Sequence, residues 1–294
     1  MFTGTYTAIV TPFRHGKIDE TALTGLIKTQ IKGGVDGIVP VGTTGESPTV
    51  SFEEHIHLIA FSVRMAAKKI KVLAGTGGNS TDEAIYLTKA AEKAGADGSL
   101  QVAPYYNKPT PEGLFQHFKA IANATKLPII LYSIPGRCGV EIGVETTQRL
   151  ARACENIIGM KEAGGNADRV SQLRAALGEK FIILSGDDSL TLPFMSVGAQ
   201  GVISVASNVI PREVSQMVKA FAAGKSAAAL TIHRKFYPLF KDLFVETNPV
   251  PVKTALAMMG QMDEEFRLPL VRMSAKNREI LKETLKSCGV LKGK

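Results

Sequence analysis

Tryptophan is absent from this chain of 294 residues, aromatic residues together make up 6%, and there are only three cysteines. Cys138, Cys154 and Cys288 are odd in number and follow no repeated spacing, so they build no disulfide framework and point to reduced thiols in a cytoplasm. No apolar run approaches the ~20 residues that span a bilayer, and no membrane association is expected. The opening Met-Phe-Thr-Gly-Thr-Tyr-Thr has neither a basic start nor a long apolar core, so no secretory signal is expected. Acidic residues are the scarcer charge, 27 Asp and Glu against 35 Lys and Arg, for a net charge of +8. The basic residues are scattered, without a basic run or a base-reading motif, so nucleic acid is not an expected partner. A diffuse positive field suits small carboxylic acids instead.

What the chain does have is a repeated unit. Asp19 to Lys32 carries helical spacing through Leu23, Leu26, Ile27 and Ile31 and stops at Gly33-Gly34, where glycine supplies a left-handed cap. Asp36-Gly37 then leads into the apolar stretch Ile38 to Val41. The same punctuation returns at 94–98 before Ser99 to Val102, and at 198–201 before Val202 to Val205. Further short β-branched runs lie at Tyr6 to Val10, Lys71 to Gly75, Pro128 to Tyr132, Asn156 to Glu162 and Phe181 to Ser185. Eight strands with intervening helices and no long linker predict an α/β fold, a closed (β/α)8 TIM barrel over residues 1–224. Ser51-Phe-Glu-Glu54 and Ser80-Thr-Asp-Glu83 fit capping boxes, and Thr110-Pro111 places proline in a first turn. After Gly224 the strands cease, and 225–294 is expected to be a helical appendage interrupted near Asn248-Pro-Val-Pro251 and Pro269.

Barrel enzymes place their chemistry at the C-terminal ends of the strands, so the residues there carry the functional argument. Lys161 ends the apolar run Ile157 to Met160 and precedes Gly164-Gly165. Burial there would lower its pKa. An ordinary lysine, of pKa ~10.4, is neutral in only about one molecule in 2,500 at pH 7, and a drop of ~3 units raises that fraction about a thousandfold. Such an amine is suited to forming a Schiff base with a carbonyl compound. The plainer alternative is a lysine that snorkels to solvent or pairs with Glu162.

Other strand ends offer complementary groups. Gly42-Thr43-Thr44-Gly45-Glu46-Ser47 could hold a carboxylate with hydroxyls and freed backbone N–H groups, or be a plain turn. Gly75-Thr-Gly-Gly78 lacks the Lys-Ser/Thr that would complete a phosphate loop. Pro104-Tyr105-Tyr106-Asn107-Lys108-Pro109 is a proline-bounded loop with two phenols. Tyr132-Ser-Ile-Pro135-Gly-Arg137-Cys138-Gly139 combines a proton carrier, a turn and a bidentate carboxylate clamp.

Together, Gly42-Thr-Thr-Gly-Glu46, Tyr105-Tyr-Asn107, Tyr132-x-x-Pro-x-Arg137-x-Gly139, Gly159-x-Lys161-Glu162, Ser185-Gly-Asp187 and Asn248-Pro-x-Pro-x-Lys253 resemble the dihydrodipicolinate synthase family over nearly the whole chain. Gly-x-Lys-Glu and the Tyr-x-x-Pro core are shared with the wider pyruvate aldolases, including N-acetylneuraminate lyase. The Thr43-Thr44 pair and Arg137 look more like the synthase branch.

The resemblance implies that Lys161 condenses with pyruvate and that loss of a methyl proton gives an enamine. The enamine attacks L-aspartate 4-semialdehyde, and cyclisation yields 4-hydroxy-tetrahydrodipicolinate on the way to diaminopimelate and lysine. Catalytic roles are implied for Lys161, Tyr132, Thr43 and Tyr106, the last reaching in from a neighbouring subunit of a dimer-of-dimers homotetramer. Substrate contacts are implied for Thr44 on the pyruvate carboxylate and Arg137 on the semialdehyde carboxylate, with Gly186 and Ile203 as nearby backbone positions. No metal or organic cofactor is implied. An L-lysine effector would fall on Ser47, His55, Asn79, Glu83 and Tyr105.

The chain departs from the family at Ser133, where asparagine is expected, and at Cys138, where threonine is expected and a reactive thiol would flank Arg137. Phe52 stands where some relatives carry a regulatory histidine, and with Pro48 it predicts inhibition weaker than in those relatives. Two other functions share the same residue types: a pyruvate aldolase for a sugar acid, and a non-catalytic keto-acid-binding barrel. The proton-relay residues Thr43, Tyr106 and Tyr132 argue against a barrel that only binds.

Overall fold

The first and last of eight parallel strands pair with each other and close a barrel. The structure is a computed structural model that describes residues 2–291. The barrel strands are β1 (Gly4–Ala8), β2 (Gly37–Val39), β3 (Lys71–Gly75), β4 (Gly98–Val102), β5 (Ile129–Ser133), β6 (Ile157–Glu162), β7 (Ile182–Ser185) and β8 (Gly201–Ser204). Each lies on an apolar run anticipated above, with small offsets at the ends. Every strand pairs in parallel with its sequence neighbours. This is the TIM-barrel topology, in which helices must carry the chain back outside the sheet.

Strand alternation divides the apolar residues into two sets. Tyr6, Leu73, Leu100, Ile130, Leu184 and Ile203 point inward and fill the barrel. A larger set, with Ile38, Val72, Ile129, Met160 and Ile183, packs outward against the helices. Pairing between β5 and β6 shifts by one residue between Ile129 and Ile130, after which Tyr132 lies opposite Lys161.

The helix signals act largely as their chemistry suggests, except that the capping box expected at Ser80 and Glu83 forms only its serine half. Helix Glu20–Gly33 ends on Gly34 at φ 75°, the left-handed conformation that glycine adopts without strain. Helix Phe52–Ala66 starts at Ser51 with the reciprocal capping box to Glu54. Thr110 caps helix Pro111–Asn123, with proline in its first turn. Ser80 accepts from the Glu83 N–H at the start of helix Thr81–Ala94.

Two features carry no sequence signature. A hairpin pairs Phe13–Arg14 with Lys17–Ile18, with arms too short for alternation to mark them. Residues Pro135–Cys138, read from sequence as a turn, form a single helical turn. At the catalytic end the seam between β1 and β8 is sealed by buried Asn208. Its Nδ2 donates to the Ala8 and Val205 carbonyls at 2.8 and 2.9 Å, while its Oδ1 accepts from Val10 N–H at 3.2 Å.

Beyond the barrel lie helices Ser226–Asp242, Val250–Met258 and Ala275–Ser287. The middle one is buried over most of its length, and the buried residues include Lys253.

Candidate active site

A cavity of about 250 Å³ opens at the C-terminal ends of the strands. Lys161 enters it from the end of β6, and Tyr132, Thr43, Thr44 and Arg137 line it from the neighbouring strand ends. Alternation explains why the lysine faces inward. Its neighbour Glu162 faces outward, where Arg169 Nε donates to it at 2.8 Å and Gly164 N–H at 2.7 Å. Lys161 is therefore neither paired with Glu162 nor snorkelling, since it is only 6% exposed.

Its ammonium position lies 4.1 Å from the Tyr132 ring centroid. Burial brings the Lys161 pKa down to about 7; buried Asp188 pulls the other way and Arg137 adds to the depression. At neutral pH a large share of the amine is then unprotonated, which is the form that attacks a ketone. Gly186 is needed beside it, because a Cβ there would stand 2.6 Å from the Ala163 Cβ and 3.0 Å from the Lys161 Cε.

Tyr132 is buried, and desolvation raises its phenol pKa well above the usual range. It stays protonated, and the Thr43 hydroxyl lies close enough to offset a small part of that rise, so a second exchangeable proton stands near the ring next to Lys161. Asp188, 1% exposed, accepts from Ser204 Oγ and from the Val205 and Ala206 N–H groups at 3.0 and 2.9 Å. Burial pushes its pKa up to about 6. It is a second ionisable group at the strand ends, alongside the lysine.

Thr44 and Arg137 share one partner. The Asn248 side-chain Nδ2 donates to Thr44 Oγ1 at 3.1 Å, and Arg137 Nη2 donates to the Asn248 carbonyl at 3.0 Å. Occupying the acceptor side of the threonine hydroxyl leaves its proton free to point into the cavity. Thr44 and Arg137 thus present two separate donors for anionic groups.

Other residues singled out from sequence fall in several places. Ser47 and Tyr105 also line the cavity. Ile203 is fully buried in the barrel interior and is not part of the cavity wall. Tyr106 is not brought to the cavity; its ring is 91% exposed and its backbone is held at φ 74°, an unusual conformation for a bulky residue. His55 is buried and spends Nε2 on the Gly75 carbonyl at 2.7 Å. Asn79 donates to the Tyr105 carbonyl at 3.2 Å, and Glu83 lies close enough to raise the Tyr105 phenol pKa, after burial itself.

The departures also find places. The Ser133 hydroxyl accepts from the Ile142 N–H at 3.3 Å and so ties down the segment that follows Arg137. Cys138 corrects an expectation. It is 3% exposed, and burial pushes its thiol up to about 11, so it remains a protonated packing residue and not a reactive thiolate. Phe52 is surface-exposed and meets Tyr86 edge-on at 6.1 Å.

Asp188, Asn248 and the pair Glu46–Lys253 were given no role from sequence. Glu46, Asn248 and Lys253 enter the sequence only as members of the family motifs, and the further local signal is a lysine inside the apolar run Val250 to Leu256.

The sequence profile of the Dihydrodipicolinate synthetase family matches residues 1–288. The chain is 54% identical over 286 residues to 4-hydroxy-tetrahydrodipicolinate synthase of Aquifex aeolicus (strain VF5), covering 97% of each. Among solved structures it resembles 4-hydroxy-tetrahydrodipicolinate synthase from Methylacidiphilum fumariolicum SolV. The TM-score is 0.98 at 59% identity, over 98% of this chain and 96% of that one. It also resembles the enzyme of Cyanidioschyzon merolae solved with lysine bound, with TM-score 0.96 and 42% identity over 99% of both chains.

Proposed function

This chain belongs to the dihydrodipicolinate synthetase family, and from that premise we propose how its own residues carry out the reaction. It is a lyase that condenses pyruvate with L-aspartate 4-semialdehyde to 4-hydroxy-tetrahydrodipicolinate, a step towards diaminopimelate and lysine. The observation that carries the residue assignment is the buried amine of Lys161, with a pKa near 7, facing the Tyr132 ring inside the cavity.

The neutral Lys161 amine attacks the pyruvate ketone while the Thr44 hydroxyl holds its carboxylate. Tyr132, with Thr43 beside it, donates and recovers the protons needed to lose water and to take the methyl proton. The iminium nitrogen draws electrons from the methyl carbon, which becomes the nucleophilic enamine carbon. That carbon attacks the semialdehyde carbonyl, and the substrate amine displaces Lys161 as the ring closes. The direct test is turnover of pyruvate with aspartate semialdehyde set against cleavage of N-acetylneuraminate. Preference for the second substrate would overturn the assignment.

Arg137, at the cavity wall, is the clamp for the semialdehyde carboxylate. Arg137→Ala should raise the semialdehyde KM or lower its kcat/KM roughly ten- to hundredfold, because a charge-assisted contact is worth ~1.5–3 kcal/mol. Pyruvate trapping at Lys161 should survive. Unchanged semialdehyde kinetics would remove Arg137 from this role.

Tyr106 completes the relay from a second subunit, as its exposed ring and strained backbone suggest, and the assembly is a dimer or a dimer of dimers. Mixing Tyr106→Phe with Lys161→Ala subunits should recover activity that neither variant has alone. A fully active monomer at assay concentration would rule this out.

L-lysine is the proposed effector, binding near Ser47, Asn79, Glu83 and Tyr105, with Glu83 receiving the ammonium. His55 adds a polar wall, held in place by its Nε2 contact with the Gly75 carbonyl. Partial inhibition and a rise in melting temperature are expected across a lysine titration, both lost in Glu83→Thr. A flat response to millimolar lysine would dismiss the site.

No helix among the described residues is long and apolar enough to cross a membrane. Three buried free thiols, Cys138, Cys154 and Cys288, fit the reducing cytoplasm in which we place the enzyme.

A further inference from the structure

Behind the cavity wall lie two charged side chains that touch no substrate and are both completely buried. Lys253 Nζ donates to Glu46 Oε1, and each side chain is 0% exposed. The ammonium is sandwiched over the rings of Phe13 at 4.4 Å and Phe266 at 5.1 Å. The second oxygen of Glu46 accepts the Arg267 backbone N–H at 3.2 Å. Arg267 in turn forks onto Glu54 with two contacts of 2.6 Å and donates to the Thr49 carbonyl at 2.9 Å.

These contacts converge on the turn that carries Thr43 and Thr44. Glu46 sits at φ 56°, left-handed for a residue with a side chain. Such backbone persists only where surrounding contacts over-determine it. Thr11 Oγ1 binds the Gly45 carbonyl at 2.7 Å, and Asn248 binds Thr44. A buried ion pair is a poor means of stabilising a fold, because apolar residues of similar volume often serve as well or better. Placing two opposite charges at one end of a catalytic turn does fix the distance between them and the direction of the chain.

We infer that Glu46 and Lys253 are positioning residues of the active site. Their buried pair holds the Gly42–Ser47 turn in the shape that brings Thr43 to Tyr132 and Thr44 to the pyruvate carboxylate. The C-terminal region is thereby part of the catalytic apparatus without contributing Lys253 to the chemistry. This rests on the Schiff-base function proposed above and adds a dependence of the pyruvate half-reaction on a contact outside the cavity.

The test uses Glu46→Gln combined with Lys253→Met, which removes both charges while nearly keeping the volume. Rates are counted per site titrated by borohydride trapping of pyruvate, so a partly folded sample still reports on its native fraction. Because misplacing a catalytic group by ~1 Å can cost about a hundredfold, kcat per trapped site should fall by about 10- to 100-fold. The pyruvate KM should rise, deuterium exchange into the pyruvate methyl should slow in step with kcat, and the semialdehyde KM should stay within about twofold. Lys253→Met alone, which strands the Glu46 carboxylate, should lose more than the double variant.

Wild-type kcat per trapped site, with only the melting temperature changed, would overturn the inference. So would equal changes in both KM values, or the absence of any native, trappable protein in both variants, since the pair would then be a folding element. Failure of trapping in the wild-type enzyme would instead sink the Schiff-base assignment itself.

Discussion

Lys161→Ala should leave no measurable synthase activity and no pyruvate adduct after borohydride reduction, while the wild-type chain gains one adduct on the peptide that holds Lys161. The loss is expected to be total because no other amine among the described residues lines the cavity. Lys253, the other buried lysine among the described residues, has its ammonium taken by Glu46. The pH dependence follows from the sign of the shift. Burial lowers the Lys161 pKa to about 7, and only the unprotonated form attacks. The kcat/KM for pyruvate should therefore climb through pH 6 to 8 and level off above. At pH 7 about half of such amines are neutral, against about one in 2,500 for an ordinary lysine. Asp188, with its own pKa raised to about 6, titrates near the same range, so the rising limb belongs to the two groups together. An adduct that persists in Lys161→Ala, or a limb centred near pH 10, would refute the assignment.

Tyr132→Phe should cost the next largest factor. The substitution keeps the ring that packs beside Lys161 and removes only the hydroxyl that lies near Thr43. The fold and the environment of the amine should survive, and trapped adduct should still form, though slowly. The kcat should fall by about 10²–10⁴, the usual contribution of a positioned proton carrier. Thr43→Val should give a smaller loss of the same kind, because Tyr132 keeps its proton but loses the path by which it is replenished. Activity within about tenfold of wild type in Tyr132→Phe would assign the proton transfers elsewhere. Since burial holds the phenol protonated through the whole neutral range, neither variant should change the position of the limb that Lys161 and Asp188 set.

Several of these groups could be seen in the linear chain. Lys161 at the end of an apolar run, Thr43-Thr44 in a glycine-bounded turn, and Tyr132 and Arg137 around a proline all lie at strand ends, where barrel chemistry collects. Others could not. Asn248 meets Thr44 across 204 positions and Lys253 meets Glu46 across 207, and local periodicity carries no information at that range. Cys138 shows the opposite error, since its place next to Arg137 suggests a low thiol pKa. Burial has the larger influence, and the Arg137 charge is the smaller one.

Sequence alone determined the alternation of short apolar strands with capped helices. Apolar periodicity, glycine stops and side-chain caps are all short-range effects. It also supplied the inventory of amine, phenol, hydroxyl and guanidinium groups at the strand ends. Tertiary structure decided what those groups are. Closing β1 against β8, together with the one-residue shift between β5 and β6, set Lys161 beside Tyr132 inside the barrel and turned Glu162 outward to Arg169. The pKa of an amine depends on how much water it loses and on every charge gathered around it. Distant segments supply both, and they meet only when the barrel closes.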